Sequence, residues 1–265
     1  MATKTKNTTP VKTSARPSKL IAVASGKGGV GKTWFSITLA HALAKQGKKV
    51  LLFDGDLGLA NIDIQLGLMA KRDLNDVVEG NLSLERVIEH YDAGGFDVIA
   101  GRSGHGSLSA LPVQRLNDLV MQIRGLLPQY DAAIIDLGAG IDKTVRFMAA
   151  AADASFVVTT DEPTSLTDAY AFIKLSHAAG HSDNIHVVVN MTGSHKEGEA
   201  TYATILKACK NFLKLSPPLL GLIRQDKKVR DAIRAQTPYL TRTPSGDTAE
   251  DIENIATRVM ADILT

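Results

Sequence analysis

A doubly wound α/β fold, with a mostly parallel sheet and helices on both faces, is what this 265-residue sequence predicts. Three observations predict it. Short apolar runs alternate with stretches of helical periodicity along the whole chain, the pattern of successive βα units. The first run, residues 20–24, leads into Gly26-Lys27-Gly28-Gly29-Val30-Gly31-Lys32-Thr33 and then into a helical pattern. Two later runs end on aspartates, Asp54 with Asp56 and Asp136, and side chains at the carboxyl ends of parallel strands face the ligand crevice of such sheets.

The elements follow in order. Residues 20–24 (Leu-Ile-Ala-Val-Ala) have the length and composition of a buried strand. From Trp34, apolar residues recur with helical spacing (Phe35, Leu39, Ala42, Leu43) and Gly47 is a stop signal, which predicts a helix over 33–46. The same criteria place strands at 50–53, 97–100, 132–135, 156–160, 185–190 and 219–223. They place helices near 114–127, 143–151, 165–179, 199–215, 227–236 and 248–264. Residues 57–80 and 101–111 are less regular and are the expected switch and partner surfaces.

The glycine-rich segment fits the phosphate-loop pattern G-x-x-x-x-G-K-[ST], in which successive backbone N–H groups cradle phosphates at a helix N-terminus. Gly26 through Trp34 would line the nucleotide. Lys32 would place its charge on the β- and γ-phosphates, and the Thr33 hydroxyl would ligate Mg²⁺. Aspartates behind such a loop hold Mg²⁺, usually through water, and orient the attacking water. An aspartate after a buried strand is often only a turn former, so Asp54, Asp56 and Asp136 gain their meaning from the loop. These residues imply binding of a nucleotide with Mg²⁺; that it is ATP is implied by the resemblance that Lys27 carries.

Lys27 adds a second lysine to the loop. The form K-G-G-x-G-K-[ST] resembles the deviant Walker A motif of the MinD/ParA family of dimerising P-loop ATPases. The resemblance implies that Lys27 crosses a dimer interface to phosphates bound by a second copy, which spacing alone does not. It likewise implies a Walker B role for Asp136, support of the metal shell by Asp54, and positioning of the lytic water by Asp56. It implies adenine recognition by Asn190 and, after Leu222, by a base-covering segment containing Arg224 and Asp226. Arg224 stands where that family usually has a proline, and Trp34 where a small hydroxyl residue usually follows the loop threonine.

Within the family, the chain looks nearest to the FlhG (FleN) branch, which regulates flagellar number and placement. The carriers are Asp56-Leu57-Gly58-Leu59-Ala60-Asn61 with Asp63, the Gly138-Ala139-Gly140 run, and the segment from Glu162-Pro163-Thr164-Ser165 to Ala171. The N-terminal segment lacks the D-Q-A-x-x-L-R motif of that branch. The implied activity is slow, partner-stimulated ATP hydrolysis by an ATP-dependent homodimer serving a polar or flagellar system. A ParA-like DNA-associated positioning ATPase and a MinD-like division-site regulator are the alternatives. A metabolic P-loop enzyme is more distant, because no second-substrate constellation is visible.

Composition agrees with one ATPase domain over 20–265: 44% of residues are hydrophobic, enough for a large core. No apolar run approaches the roughly 18 residues of a membrane span and no signal-peptide core follows Met1, so a cytoplasmic protein is expected. The single cysteine, Cys209, cannot form an internal disulfide and is expected as a buried small hydrophobe; a lone cysteine also argues against an iron–sulfur site, which needs pairs of cysteine ligands. The seven histidines lack metal-ligand spacing. Residues 1–19 carry Lys4, Lys6, Lys12, Arg16 and Lys19 without an acid and read as a disordered basic tail, either merely solvated or touching an acidic partner. The chain is +2 overall, so the remainder is slightly acidic. A second basic run, Lys207, Lys210, Lys214, Arg224, Lys227, Lys228, Arg230 and Arg234, is usually a solvated face but makes nonspecific DNA a candidate partner.

At the C-terminus, Ile252, Ile255, Val259, Met260 and Ile263 form a helical apolar stripe. Its polar side carries Glu250, Asp251, Glu253 and Asp262 against Arg258, and the chain stops at Thr265. Anionic lipid repels that balance, so the stripe is expected to pack on the core and no intrinsic membrane anchor is expected.

Overall fold

β1 (Lys19–Ser25) runs through the glycine-rich loop into α1 (Lys32–Lys45), and this unit sits at the centre of the molecule. The computed structural model describes residues 19–56, 60–69, 72–101 and 111–265. The rest of the chain continues as β2 (Val50–Gly55), α2 (Ile62–Leu66), α3 (Leu74–Val78), β3 (Glu89–Tyr91) and β4 (Phe96–Ile99). It proceeds through α4 (Val113–Leu126), β5 (Ala132–Ala139), α5 (Lys143–Ala150), β6 (Ala154–Thr159), α6 (Pro163–Ala178) and β7 (Ile185–Thr192). It closes with α7 (His195–Leu213), β8 (Leu219–Arg224), α8 (Lys227–Arg234), α9 (Tyr239–Arg242) and α10 (Asp247–Arg258).

The eight strands form one sheet in the order β3-β4-β2-β5-β1-β6-β7-β8, parallel except for β3. The inner strands are near-continuous apolar runs because helices cover them on both sides. One layer buries Leu116, Val145, Phe172 and Ile205 from α4 to α7, and the other buries Phe35 and Leu39 from α1 with Ile252 and Ile255 from α10. The register between β2 and β5 sets Asp54 beside Asp136, and β1 sets Val23 beside the same Asp136. The strand order therefore gathers both carboxylates at the end of β1, where the glycine-rich loop begins.

Each strand expected from the sequence is present. β3 was not legible: it has three residues, and Glu89 and His90 are exposed, so it lacks an apolar signature. α7 starts earlier than the apolar pattern suggests because the Ser194 hydroxyl caps it, accepting from the Glu197 N–H at 3.3 Å. The C-terminal helix was expected unbroken to 264, but α10 ends at Arg258 and a π turn, Val259–Ile263, follows. Ile252, Ile255 and Val259 are fully buried, so the stripe packs on the core. Cys209 is buried, and burial pushes its thiol up to about 11. No helix among the described residues is long and apolar enough to cross a membrane. The basic segment 1–18, residues 57–59 of the Asp56 motif, residues 70–71 and residues 102–110 lie outside the described residues.

Candidate functional site

A cleft of about 480 Å³ opens at the carboxyl ends of the central strands. The glycine-rich loop from Lys27 to Thr33 forms its floor. Trp34, Asp56, Asn190, Met191, Arg224 and Asp226 are among its walls, so the structure brings most of the expected nucleotide residues into one site. Gly31 shows why the loop has this sequence. Its φ is +84°, and a Cβ there would collide with the Asn190 side-chain amide. Gly31→Ala is expected to keep the fold and lose nucleotide binding, because the methyl group strains a left-handed backbone and pushes Asn190 out of place. Circular dichroism beside an ATP-binding isotherm checks both halves.

Beneath the loop, Lys32 Nζ lies 2.9 Å from Asp136 Oδ1, with the two side chains only 7% and 1% exposed. The Thr33 hydroxyl donates to Asp136 Oδ2 at 2.6 Å and the Ser36 hydroxyl to Oδ1 at 2.9 Å. Ser36 was not identified from the sequence, although its place one turn after Lys32 puts it on the same helix face. Asp54, equally buried, accepts from the backbone N–H groups of Asp56, Asn61 and Ile62, each at 3.1 Å. Burial and the neighbouring Asp136 charge push the Asp54 carboxyl up to about 7 against those three donors.

Two buried carboxylates side by side with a threonine hydroxyl fit Mg²⁺, which takes one or two carboxylates and completes its octahedron with water and substrate phosphates. Among the described residues there is no cluster of three or more carboxylate, imidazole or thiol ligands that could hold a metal. Asp56 lines the same cleft beside Gly138: a Cβ at Gly138 would be in ordinary contact with its carboxyl group, 3.6 Å from the carboxyl carbon.

Lys27 behaves differently from Lys32. Its ammonium donates to Glu162 Oε2 at 2.6 Å and to the Thr164 hydroxyl at 3.1 Å, at the start of α6. The loop touches that helix closely, since a Cβ at Gly26 would meet the Asp168 backbone. The Glu162-Pro163-Thr164 segment stands out in the sequence as a branch marker, but nothing there pairs it with a lysine 135 positions away.

The far wall of the cleft is built on polar contacts. Asn190 is buried and donates its amide to the Val30 carbonyl at 2.8 Å, which ties the end of β7 to the loop. Asp226 caps α8 by accepting from the Lys228 N–H and also accepts from the Tyr239 hydroxyl, both at 2.8 Å. Tyr239 in turn meets the Trp34 ring edge-on at 5.6 Å. The Trp34 indole N–H is buried without a hydrogen-bond partner, an orphan donor in a wall of the cleft.

Arg224 lines the cleft, yet its guanidinium is held by α10. Nε and Nη2 donate to Asp251 at 2.9 and 2.8 Å, Nη1 pairs with Asp247 at 3.0 Å, and Glu250 lies 3.7 Å away. Asp251 also engages His195 Nε2 at 2.8 Å. The acids that set the charge of the C-terminal stripe thus serve to anchor it. Burial alone would raise the Asp251 carboxyl, but the hydrogen bonds from Arg224 and His195 outweigh it and hold the group below the usual carboxylate range. A depressed folded-state value means that this stabilisation is complete above the unfolded value of about 4 and is lost as pH falls below it. Asp251→Asn is expected to destabilise the fold by about 2–3 kcal/mol at pH 7. Urea unfolding of both proteins should show the gap closing as pH falls below about 4.

Comparison with known proteins places this site among nucleotide-binding folds. The CobQ/CobB/MinD/ParA nucleotide binding domain model matches residues 21–239. The chain is 38% identical over 247 residues to the antiactivator FleN of Pseudomonas aeruginosa, covering 93% of this chain and 88% of that protein. It is 34% identical over 239 residues to the flagellum site-determining protein YlxH of Helicobacter pylori, covering 90% and 80%. Among solved structures, the septum site-determining protein MinD complexed with Mg-ADP from Pyrococcus horikoshii superposes with a TM-score of 0.77 at 26% identity, over 94% of this chain and 99% of that one.

Proposed function

Because the chain belongs to the CobQ/CobB/MinD/ParA family of nucleotide-binding proteins and is an ATPase of its MinD/ParA type, we propose that it is an ATP-dependent dimerisation switch regulating flagellar number and placement. The observation that carries the switch is the division of labour between the two lysines. Lys32 is buried on Asp136, under its own phosphate loop. Lys27 is held at the cleft rim by Glu162 and Thr164, a contact that a second copy of the chain could replace. In this scheme Lys32 leaves Asp136 for the β- and γ-phosphates of ATP bound in its own cleft. Lys27 leaves Glu162 to reach the phosphates of the facing subunit, and Asp56 orients the attacking water.

Thr33, Asp136 and Asp54 would hold Mg²⁺, which when bound neutralises charge on the phosphate oxygens. Asn190 and the wall from Arg224 to Asp226 would enclose the base. Residues 20–265 act as one ATPase domain, with the basic residues 1–19 outside its nucleotide machinery. Basal turnover is slow and a partner protein accelerates it; P-loop switches gain up to ~10⁵-fold from a group supplied in trans.

The flagellar assignment draws on the likeness to FleN and YlxH. Its test is a deletion strain scored for flagellar number and position, where a wild-type flagellation pattern would refute it. A second reading, a ParA-like DNA-associated ATPase, is favoured by the exposed Lys227, Lys228 and Arg230 on α8. It requires sequence-independent, ATP-dependent DNA binding that weakens steeply with salt, and no binding to any DNA at low salt with ATP would remove it.

A further inference from the structure

α2 is a helix of five residues, too short to hold its shape by its own hydrogen bonds. It nevertheless forms one wall of the nucleotide cleft, which Asn61 at its N-cap and Gln65 within it both line. Ties to the rest of the molecule hold it there. Ile62 and Leu66 are buried in the core. At its start, Asp54 Oδ2 accepts from the N–H groups of Asn61 and Ile62 at 3.1 Å. At its end the problem is different, because the last carbonyls of a helix find no partner within it. There the Gln236 side-chain amide, 172 positions away in sequence, donates to the Ile64 carbonyl at 2.9 Å. Gln236 stands just past the end of α8, with φ +51°, and it lies close against the turn that ends α2: a Cβ at Gly67 would be 3.1 Å from Gln236 Cβ. α8 itself contributes Val229, Arg230 and Ile233 to the lining of the same cleft.

We propose that Gln236 is a positioning residue of the ATPase, fixing α2 against α8 so that these two parts of the cleft lining hold bound nucleotide as one body. Asp54, the anchor at the other end of α2, belongs to the proposed metal shell. The Gln236 tie stands apart from that shell, so it holds Asn61 and Gln65 in place whatever occupies the metal site. This role rests on the assignment of the cleft to ATP, and it governs how long a nucleotide stays rather than whether it enters.

The test compares the full chain with three variants by stopped-flow release of N-methylanthraniloyl-ADP and by amide exchange of the nucleotide-free proteins. Gln236→Glu keeps the length of the side chain and its contact with Gly67 but offers an acceptor where a donor is needed. Gln236→Asn suits a left-handed backbone yet is too short to reach Ile64. Solvent competes for an exposed bond, so both are expected to speed nucleotide release about three- to fivefold, and amide exchange over residues 61–68 by a similar factor. Gln236→Lys, which retains a donor at the tip of a long side chain, is expected to stay within about twofold of wild type. Unchanged release in the Glu and Asn variants overturns the role, even where exchange is faster, because α2 would then be held without consequence for nucleotide. Faster release in the Glu variant alone also overturns it, since charge rather than the lost hydrogen bond would be the cause. A wild-type protein that binds no nucleotide overturns the ATP assignment, and this role with it; exchange measured without nucleotide separates that failure from failure of the tie itself.

Discussion

Lys32→Ala is expected to abolish measurable ATP binding and to lower the stability of the nucleotide-free protein as well. The two losses share one cause. Lys32 is the buried countercharge of Asp136, whose carboxylate lies beside Asp54. Removing one member of such a pair leaves an uncompensated charge and typically costs about 3–5 kcal/mol. The hydroxyls of Thr33 and Ser36 remain on Asp136 and moderate that cost, so a loss near the lower end of the range is expected from urea unfolding. For binding, the proposed role of Lys32 means that the β- and γ-phosphates would lose their principal cation in a confined site, and a decline of more than about 100-fold in affinity follows from the same range. Calorimetry with ATP would show no heat of binding. An affinity within tenfold of wild type would remove Lys32 from the phosphate site.

The second large effect separates Asp56 from both lysines. Asp56→Ala retains Lys32, Thr33, Asp54 and Asp136, the groups proposed to hold phosphate and Mg²⁺. It loses the carboxylate beside Gly138 that would orient water. The expected protein binds ATP, dimerises and turns over at least about 100-fold more slowly, the usual scale for a general-base contribution. Lengthened dimer lifetime after dilution from ATP, beside a phosphate-release assay, would show the trapped state. Turnover at the wild-type rate would take Asp56 out of the chemistry.

Much of this was legible in the sequence, and what was legible has a common character. Strands such as β1 and β6 are short, built around apolar runs and followed by turn residues, so local composition specifies them without tertiary information. The phosphate loop is equally local: its glycines, Lys32 and Thr33 are contiguous because consecutive N–H groups must converge on one ligand. Asp54 and Asp136 were found because each ends an apolar run, and the parallel register then sets them side by side.

The remainder depends on contacts between distant parts of the chain. Glu162 and Thr164 meet Lys27 only because β1 and β6 are neighbours in the sheet. Arg224 reads locally as one more cation in a basic run, and only the docking of α10 shows that Asp247 and Asp251 engage it. The acidic side of the C-terminal stripe was correctly seen as a charge pattern, but its partner was invisible. β3 escaped because three residues, two of them exposed, carry no periodic signal.

The central claim is that Lys27 acts on nucleotide bound by a second copy of the chain. It is tested most directly by the molar mass of Lys27→Ala and wild type, each with and without ATP, from light scattering coupled to size exclusion, alongside ATP turnover. The predicted result is a wild-type protein that doubles in mass with ATP, and a Lys27→Ala protein that binds ATP yet stays monomeric and does not hydrolyse it. A Lys27→Ala protein that dimerises with ATP and turns over at the wild-type rate would contradict the cross-subunit mechanism.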